Sequence, residues 1–361
     1  MNAIGLSLDE LDTPFLWTDV ELLDANIRTM AAYFRDAGVG WRPHTKGIKT
    51  PAIAHKLIAA GALGITCAKM GEAEVMAAAG IREILIANQT VGPHKYARLA
   101  ALQRQANVKA AVDDASVLPG LGAAAQAAGV EIGLLVEVNG GMNRAGTEPG
   151  EATVELAHQL HNTPGLRLDG LMAWEGHTLA LPDAERAAAI HKAVGLLLSS
   201  VEACRSVGLP VSIVSCGGSG TMTVTAHIAG ITEMQAGGAI FGDATYQRWH
   251  APTRPALFVR TVVASRPAPD RIIVDAGWKT LPAWIGQPVP VGVEGVVKFA
   301  ASAEHGIVTL DRANDSLRVG DFLDFVVGYG DNTVFLHDEI VGVRGGRVEA
   351  VWPVSARGKL T

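Results

Sequence analysis

Eight short β-like runs, each followed by a stretch of helical character, fill the first two-thirds of the chain. They read VGWRP (39–43), GITCA (64–68), EILIAN (83–88), KAAVDD (109–114), IGLLVEV (132–138), LDGLMAW (168–174), VSIVSC (211–216) and TEMQAG (232–237). Segments such as TPAIAHKLIAAGA, GEAEVMAAAG and EATVELAHQLHN lie between them, with apolar residues at helical spacing. Strand–helix alternation of this kind builds a parallel sheet, and eight units are the count of a (β/α)8 barrel of the TIM type. A doubly wound open sheet is the competing arrangement, but no GxGxxG opens the first helix.

The texture changes near Pro252. Beyond it come ALFVRTVVAS, RIIVDAG, GVEGVVKFA, HGIVTL, FLDFVVGYG, VFLHDEIVGVRGG and RVEAVWPV, with almost no helical periodicity. The expected organisation is a barrel over 14–251 and an all-β domain over 252–361, joined by residues 1–13. With 361 residues, 48% of them hydrophobic and 18% charged, the chain has material for two cores. Its net charge of −6 and the lack of a basic stripe argue against a nucleic-acid partner. The three cysteines, Cys67, Cys204 and Cys216, show no metal-type spacing, so no disulfide framework is expected and a reducing cytoplasm fits. MNAIGLSLDELDTPF lacks the basic-then-apolar pattern of a signal peptide. The apolar runs are interrupted short of the ~18 residues that a membrane span requires, so no membrane partner is expected.

In such a barrel the active site lies at the carboxyl ends of the strands. That rule selects His44 and Lys46 after the first strand, Asn88 and Gln89 after the third, Arg144 after the fifth, and Trp174, Glu175 and His177 after the sixth. SCGGSGT follows the seventh strand and AGGA the eighth. Glycine lets backbone N–H groups approach an anion closely, and barrel phosphate sites commonly use these two loops. Either loop alone reads as a tight turn; the two together read as a phosphate cradle. A lysine facing such a cradle can hold pyridoxal phosphate as a Schiff base, and Lys46 occupies that place while Lys49 reads as incidental. Arg144 would supply a neighbouring cation or orient the phenolic oxygen of the cofactor.

RPHTKGIKTPAIA resembles the cofactor-lysine segment of the D-threonine aldolase and D-serine dehydratase family, fold-type III pyridoxal-phosphate enzymes with an alanine racemase-like barrel. Supporting segments are GITCAKMGEAEVMAAAGIREILIANQTVG, NGGMNRAGT, SCGGSGT, TEMQAGGAIFGDATY, VDAG (274–277), AEHGIV and HDEIVGVRGGRVEAVWPVSARGK, spanning residues 14 to 358. The resemblance implies a barrel with an all-β domain of the D-serine dehydratase type. It implies Lys46 as the Schiff-base residue, backbone amides of Gly218, Ser219, Gly220, Thr221, Gly237, Gly238 and Ala239 on the phosphate, and a homodimer. It further implies chemistry on D-amino acids with a β-hydroxyl, helped in family members by a divalent metal such as Mn, Mg or Zn.

Two departures stand out. The family carries a histidine and, two places on, an aspartate or cysteine as metal ligands. Here, in VGYGDNTVFLHD, Tyr329 stands at the histidine position and Asp331 keeps the second. A tyrosine must lose its proton to bind a metal well. Asp331 therefore reads either as a ligand or as a turn residue in a hairpin, and His337 lies eight residues beyond Tyr329. The second departure is AWEGHT, where many members carry a tyrosine. Trp174 would pack on the cofactor or fill the barrel mouth. Glu175 and His177 are candidate general bases, with histidine suited to proton transfer near neutral pH. Glu175 would otherwise orient Arg144 or a lysine, and His177 would otherwise cap a helix or line an interface. His44 would support the Lys46 turn, and Asn88 and Gln89 would line the pocket.

The leading expectation is a lyase that cleaves D-β-hydroxy-α-amino acids, D-threonine or D-3-hydroxyaspartate, by a retro-aldol reaction to glycine and an aldehyde. Dehydration to a keto acid and ammonia is the alternative; an amino-acid racemase and a non-catalytic pyridoxal-phosphate carrier remain open. Every enzymatic alternative requires the same amine. Lys46→Ala is therefore expected to abolish turnover, and borohydride reduction followed by peptide mapping is expected to place the cofactor tag on Lys46.

Overall fold

The structure, a computed structural model, describes residues 3–361. By internal packing the chain divides into two units. One comprises Ala31–Lys46, Ile53–Gly237 and Gly358–Thr361; the other comprises the chain up to Met30, Gly47–Ala52 and Gly238–Arg357.

The first unit contains an eight-stranded parallel sheet. Its spatial order is Gly40–Trp41, Glu233–Met234, Ile213–Cys216, Leu166–Met172, Ile132–Glu137, Asn107–Val112, Glu83–Gln89 and Ile65–Cys67. Apart from the first strand, which closes the cycle beside the last, this is simply reverse chain order, the arrangement of a (β/α)8 barrel. Closure lies between the two ends of that order. Leu63 N–H donates to the Trp41 carbonyl at 2.8 Å, Thr66 N–H to that of Pro43 at 2.9 Å, and His44 pairs with Thr66 in a parallel bridge. Interior strands read as continuous apolar runs because both faces are covered: every residue of Ile132–Glu137 is buried.

The covering helices are amphipathic. Leu118–Ala128 begins with Pro119 in its first turn and ends at Gly129, whose φ of 66° is the left-handed conformation that favours glycine. The 24-residue helix Asp183–Ser206 contains a stretch long and apolar enough by composition to cross a membrane. It instead buries one stripe, Ile190, Ala193, Val194, Leu197, Val201 and Cys204, and exposes His191, Lys192, Glu202 and Arg205. That one-sided burial is the pattern of a helix lying on a core. All three cysteines are buried and none is in a disulfide.

The second unit is built on a nine-stranded sheet. The main path runs Val296–Ala301, Gly306–Leu310, Arg271–Val274, Leu257–Ala268, Phe15–Asp19, Glu339–Arg344 and Arg347–Pro353. Phe322–Val326 and Val289–Pro290 pair alongside. Leu257, Val259, Thr261 and Val263 point inward at alternate positions, and the Thr261 hydroxyl donates to the Leu323 carbonyl at 2.7 Å. The final hairpin turns through Gly345 and Gly346, both at positive φ, between the paired residues Arg344 and Arg347. Two such residues form the type I′ turn that matches strand twist. FLWTD, not read as a strand from the sequence, forms Phe15–Asp19, antiparallel to Leu257–Ala268 and parallel to Glu339–Arg344.

One buried ion pair ties the barrel ends. Arg42 Nε lies 2.9 Å and 3.0 Å from the two carboxylate oxygens of Glu233, and both side chains are almost fully covered. Removing one partner strands the other charge in the interior. Glu233→Ala is expected to lower stability by about 3–5 kcal/mol in urea or thermal unfolding.

Candidate active site

The first barrel strand leads into a single 3-10 turn, Thr45–Gly47. Thr45 and Gly47 are buried and Lys46 between them is exposed. Several contacts fix this turn. Thr45 Oγ1 donates to the Thr66 carbonyl at 2.9 Å, and Trp41 Nε1 to that of Ala236 at 2.7 Å. The Lys46 N–H donates to His44 Nδ1 at 3.2 Å, so His44 supports the turn. Gly237 lies flush against the His44 backbone; a Cβ there would come within 2.1 Å of the His44 carbonyl oxygen. Glycine at 237 is thus required by close approach. Lys49 is buried, with φ of 53°, and its carbonyl accepts from Ala356 N–H at 3.0 Å, so it has a structural place.

The loop after the seventh strand is held from beneath by Glu175. The carboxylate accepts from Thr221 Oγ1 at 2.8 Å, Thr225 Oγ1 at 2.7 Å and the Gly217 N–H at 3.2 Å. Thr221 Oγ1 in turn accepts from the Gly218 N–H at 3.1 Å. Burial pushes the Glu175 carboxyl up, against the opposing hydrogen bonds from the threonines. It also pushes the Cys216 thiol well up, helped by Glu175. Gly217 has φ of 76°, and a Cβ on Gly218 would meet the Trp174 ring at 2.6 Å. Trp174, Glu175 and Gly218–Thr221 therefore form one assembly. Glu175, read from the sequence as a candidate base or as the partner of Arg144, is instead committed to the loop.

His177 sits in the 3-10 turn Gly176–Ala180, half-buried. Its Nδ1 is enclosed with no hydrogen-bond partner among the described residues, and a Cβ on Gly141 would lie 3.6 Å from its Nε2. The carboxylate beside Arg144 is Glu137, at 3.4 Å, which also accepts from Gln89 Nε2 at 2.6 Å. Glu137 is buried and its carboxyl is raised by that burial, while the Arg144 side chain is half exposed. Sequence reasoning passed over Glu137; its signal was a charged residue closing the apolar run IGLLVEV. Asn88 Nδ2 donates to the Ala68 carbonyl at 2.9 Å.

An exposed primary amine, a glycine turn free of Cβ atoms at 217, 218 and 220, a half-exposed guanidinium and a tryptophan ring flush on that turn suit an aldehyde, a phosphate and an aromatic ring. The residues of the barrel unit thus fit pyridoxal phosphate.

In the second unit, Asp331 is not in a hairpin. It lies in the helical turn Gly330–Thr333, which Tyr329 precedes as the N-cap residue. Tyr329 Oη donates to Asp331 Oδ2 at 3.0 Å and Tyr246 Oη to Oδ1 at 3.4 Å. Burial and the adjacent Asp331 carboxylate push both phenols up. Beneath them Asp243 caps Ala244–Arg248, accepting from Tyr246 N–H at 2.9 Å and Gly330 N–H at 2.6 Å. Gly238 and Ala239 begin the 3-10 turn Gly238–Phe241 of this unit; the Ala239 carbonyl accepts from Thr253 Oγ1 at 2.7 Å. His337 Nε2 donates to the Thr280 carbonyl at 2.8 Å, and burial lowers its pKa. Among the described residues no group of three or more His, Cys, Asp or Glu side chains is arranged to hold a metal ion.

Residues 18–245 match the family described as alanine racemase, N-terminal domain, and residues 256–343 match the putative serine dehydratase domain. Over 98% of its length the chain is 38% identical to D-threonine aldolase of an Arthrobacter species, covering 95% of that protein. The chain belongs to the D-threonine aldolase and D-serine dehydratase family. Another relative in this family is 3-hydroxy-D-aspartate aldolase of Paracoccus denitrificans, 36% identical over 98% of this chain and 94% of that one. The crystal structure of D-threonine aldolase from Filomicrobium marinum superposes with a TM-score of 0.95 at 37% identity, covering 99% of each chain. Dehydratases of this family are also among the relatives. The family implies pyridoxal phosphate.

The Asp243 carboxyl is raised from 3.8 to about 8, first by burial and against backbone hydrogen bonds from Gly330, Tyr246 and Thr245. A carboxyl with a raised folded-state pKa binds its proton more tightly in the folded chain. Its contribution is complete below 3.8 and is lost as pH rises toward about 8. Asp243→Asn is expected to flatten the decline of the thermal midpoint across that window, measured by calorimetry at a series of pH values.

Proposed function

We propose that this chain cleaves D-β-hydroxy-α-amino acids by a retro-aldol reaction, giving glycine and an aldehyde, or glyoxylate where the substrate is D-3-hydroxyaspartate. The observation that carries this reading is the near full-length likeness to two aldolases; the displayed amine of Lys46 agrees with it.

Lys46 would bind the cofactor aldehyde from the turn that the His44 and Gly237 contacts hold still. The backbone N–H groups of the 218–221 loop, together with that of Gly237, would hold the phosphate, with Glu175 fixing the first of these from below. Trp174 would flank the ring, and Arg144, set by Glu137 and Gln89, would lie at its polar edge. When bound, pyridoxal phosphate supplies an electron sink for the pair released at the α-carbon. His177 would accept the β-hydroxyl proton on a ring nitrogen as the Cα–Cβ bond breaks and the β-carbon becomes a carbonyl. A homodimer is the assembly that accompanies this reading.

Product analysis with D-threonine, D-serine and D-3-hydroxyaspartate tests the reaction. Glycine with acetaldehyde or glyoxylate is expected; a keto acid with ammonia as the main product would overturn the aldolase reading. His177→Asn is expected to lower kcat by about 10²–10⁴-fold with KM little changed.

A further inference from the structure

At the family's metal position the donor set differs in kind. A carboxylate that ligates a divalent cation directs lone pairs at it. Here both oxygens of Asp331 accept phenolic protons, from Tyr329 at 3.0 Å and Tyr246 at 3.4 Å. The neutral phenol at Tyr329 would have to give up the proton it points at Asp331 before ligating an ion. His337, the imidazole eight residues on in the same segment, spends its Nε2–H on the Thr280 carbonyl.

The cluster is built closely onto two backbone positions. A Cβ on Gly47 would come within 2.1 Å of Asp331 Oδ1, and one on Gly238 within 2.2 Å of Tyr246 Oη. Gly47 directly follows Lys46, and Gly238 belongs to the second glycine loop. The rings of Tyr246, Tyr329 and Trp249 pack together with centroids 5.6–6.2 Å apart, and Asp243 anchors both the Tyr246 helix and Gly330. These contacts give the phenols a fixed place around one carboxylate.

We propose that the Tyr329–Asp331–Tyr246 cluster takes the place of a bound divalent cation in this chain, so that its reaction proceeds without one. Each phenol has given its one O–H proton to Asp331, so what its oxygen still offers is a lone pair that can accept a hydroxyl proton, made more negative by that bond. The catalytic half of this inference rests on the aldolase reading; the ion-binding half does not.

The test titrates Mn²⁺ into pyridoxal-phosphate-loaded protein freed of metal by chelator, with free ion read by electron paramagnetic resonance. The wild-type chain is expected to leave the free-ion signal at its buffer value, and chelator is expected to leave aldol turnover unchanged. Tyr329→His is expected to take up Mn²⁺ stoichiometrically. Tyr329→Phe, which conserves the ring packing, is expected to lose turnover that added Mn²⁺ does not restore. Stoichiometric uptake by the wild type that disappears in Asp331→Asn would overturn the inference, as would turnover lost to chelator and returned by Mn²⁺. Absence of Mn²⁺ uptake together with absence of aldol products would support the ion-binding half and count against the aldolase reading alone.

Discussion

The barrel unit depends on one seam. The first and second strands meet through a single parallel bridge, His44 to Thr66, and a few backbone bonds around it. Lys46 follows two residues after that bridge. The same contacts that close the sheet therefore decide where the amine stands. Its turn has little freedom, because Thr45 is tied to the second strand and Gly237 presses on the His44 backbone. Preorganisation at this position comes from barrel closure itself, with no separate device needed.

Two buried carboxylates support the functional rim from behind. Glu175 gathers three donors of the seventh loop and Glu137 gathers Gln89 and Arg144. Each is raised by burial, and each spends its oxygens on groups at the carboxyl ends of the barrel strands. Buried carboxylates are tolerated where their lone pairs are used, and here that use orders a loop in one case and a guanidinium in the other.

Much of the architecture was legible because it is written in periodicity. The eight runs from VGWRP to TEMQAG correspond to the eight barrel strands, and the alternating residues of ALFVRTVVAS to the long strand Leu257–Ala268. FLWTD was not legible, since five residues with two polar members carry too little pattern, and the strand is fixed by partners about 240 and 320 residues away. The positions proposed for the site are the ones that strand ends announce, as at Lys46, Arg144 and Trp174. The depth of Glu175 was not legible, because the letter E carries no statement of burial; only the threonines at 221 and 225, supplied by another element, determine it. Tyr246 and Asp243 escaped for the same reason: their meaning lies in Tyr329 and Gly330, more than eighty residues on.

The division of the chain has a practical corollary. The path leaves the barrel unit at the Lys46–Gly47 peptide bond and re-enters it at Ile53. Neither packed unit is therefore one continuous stretch of gene, and a fragment encoding either alone would sever the backbone beside Lys46.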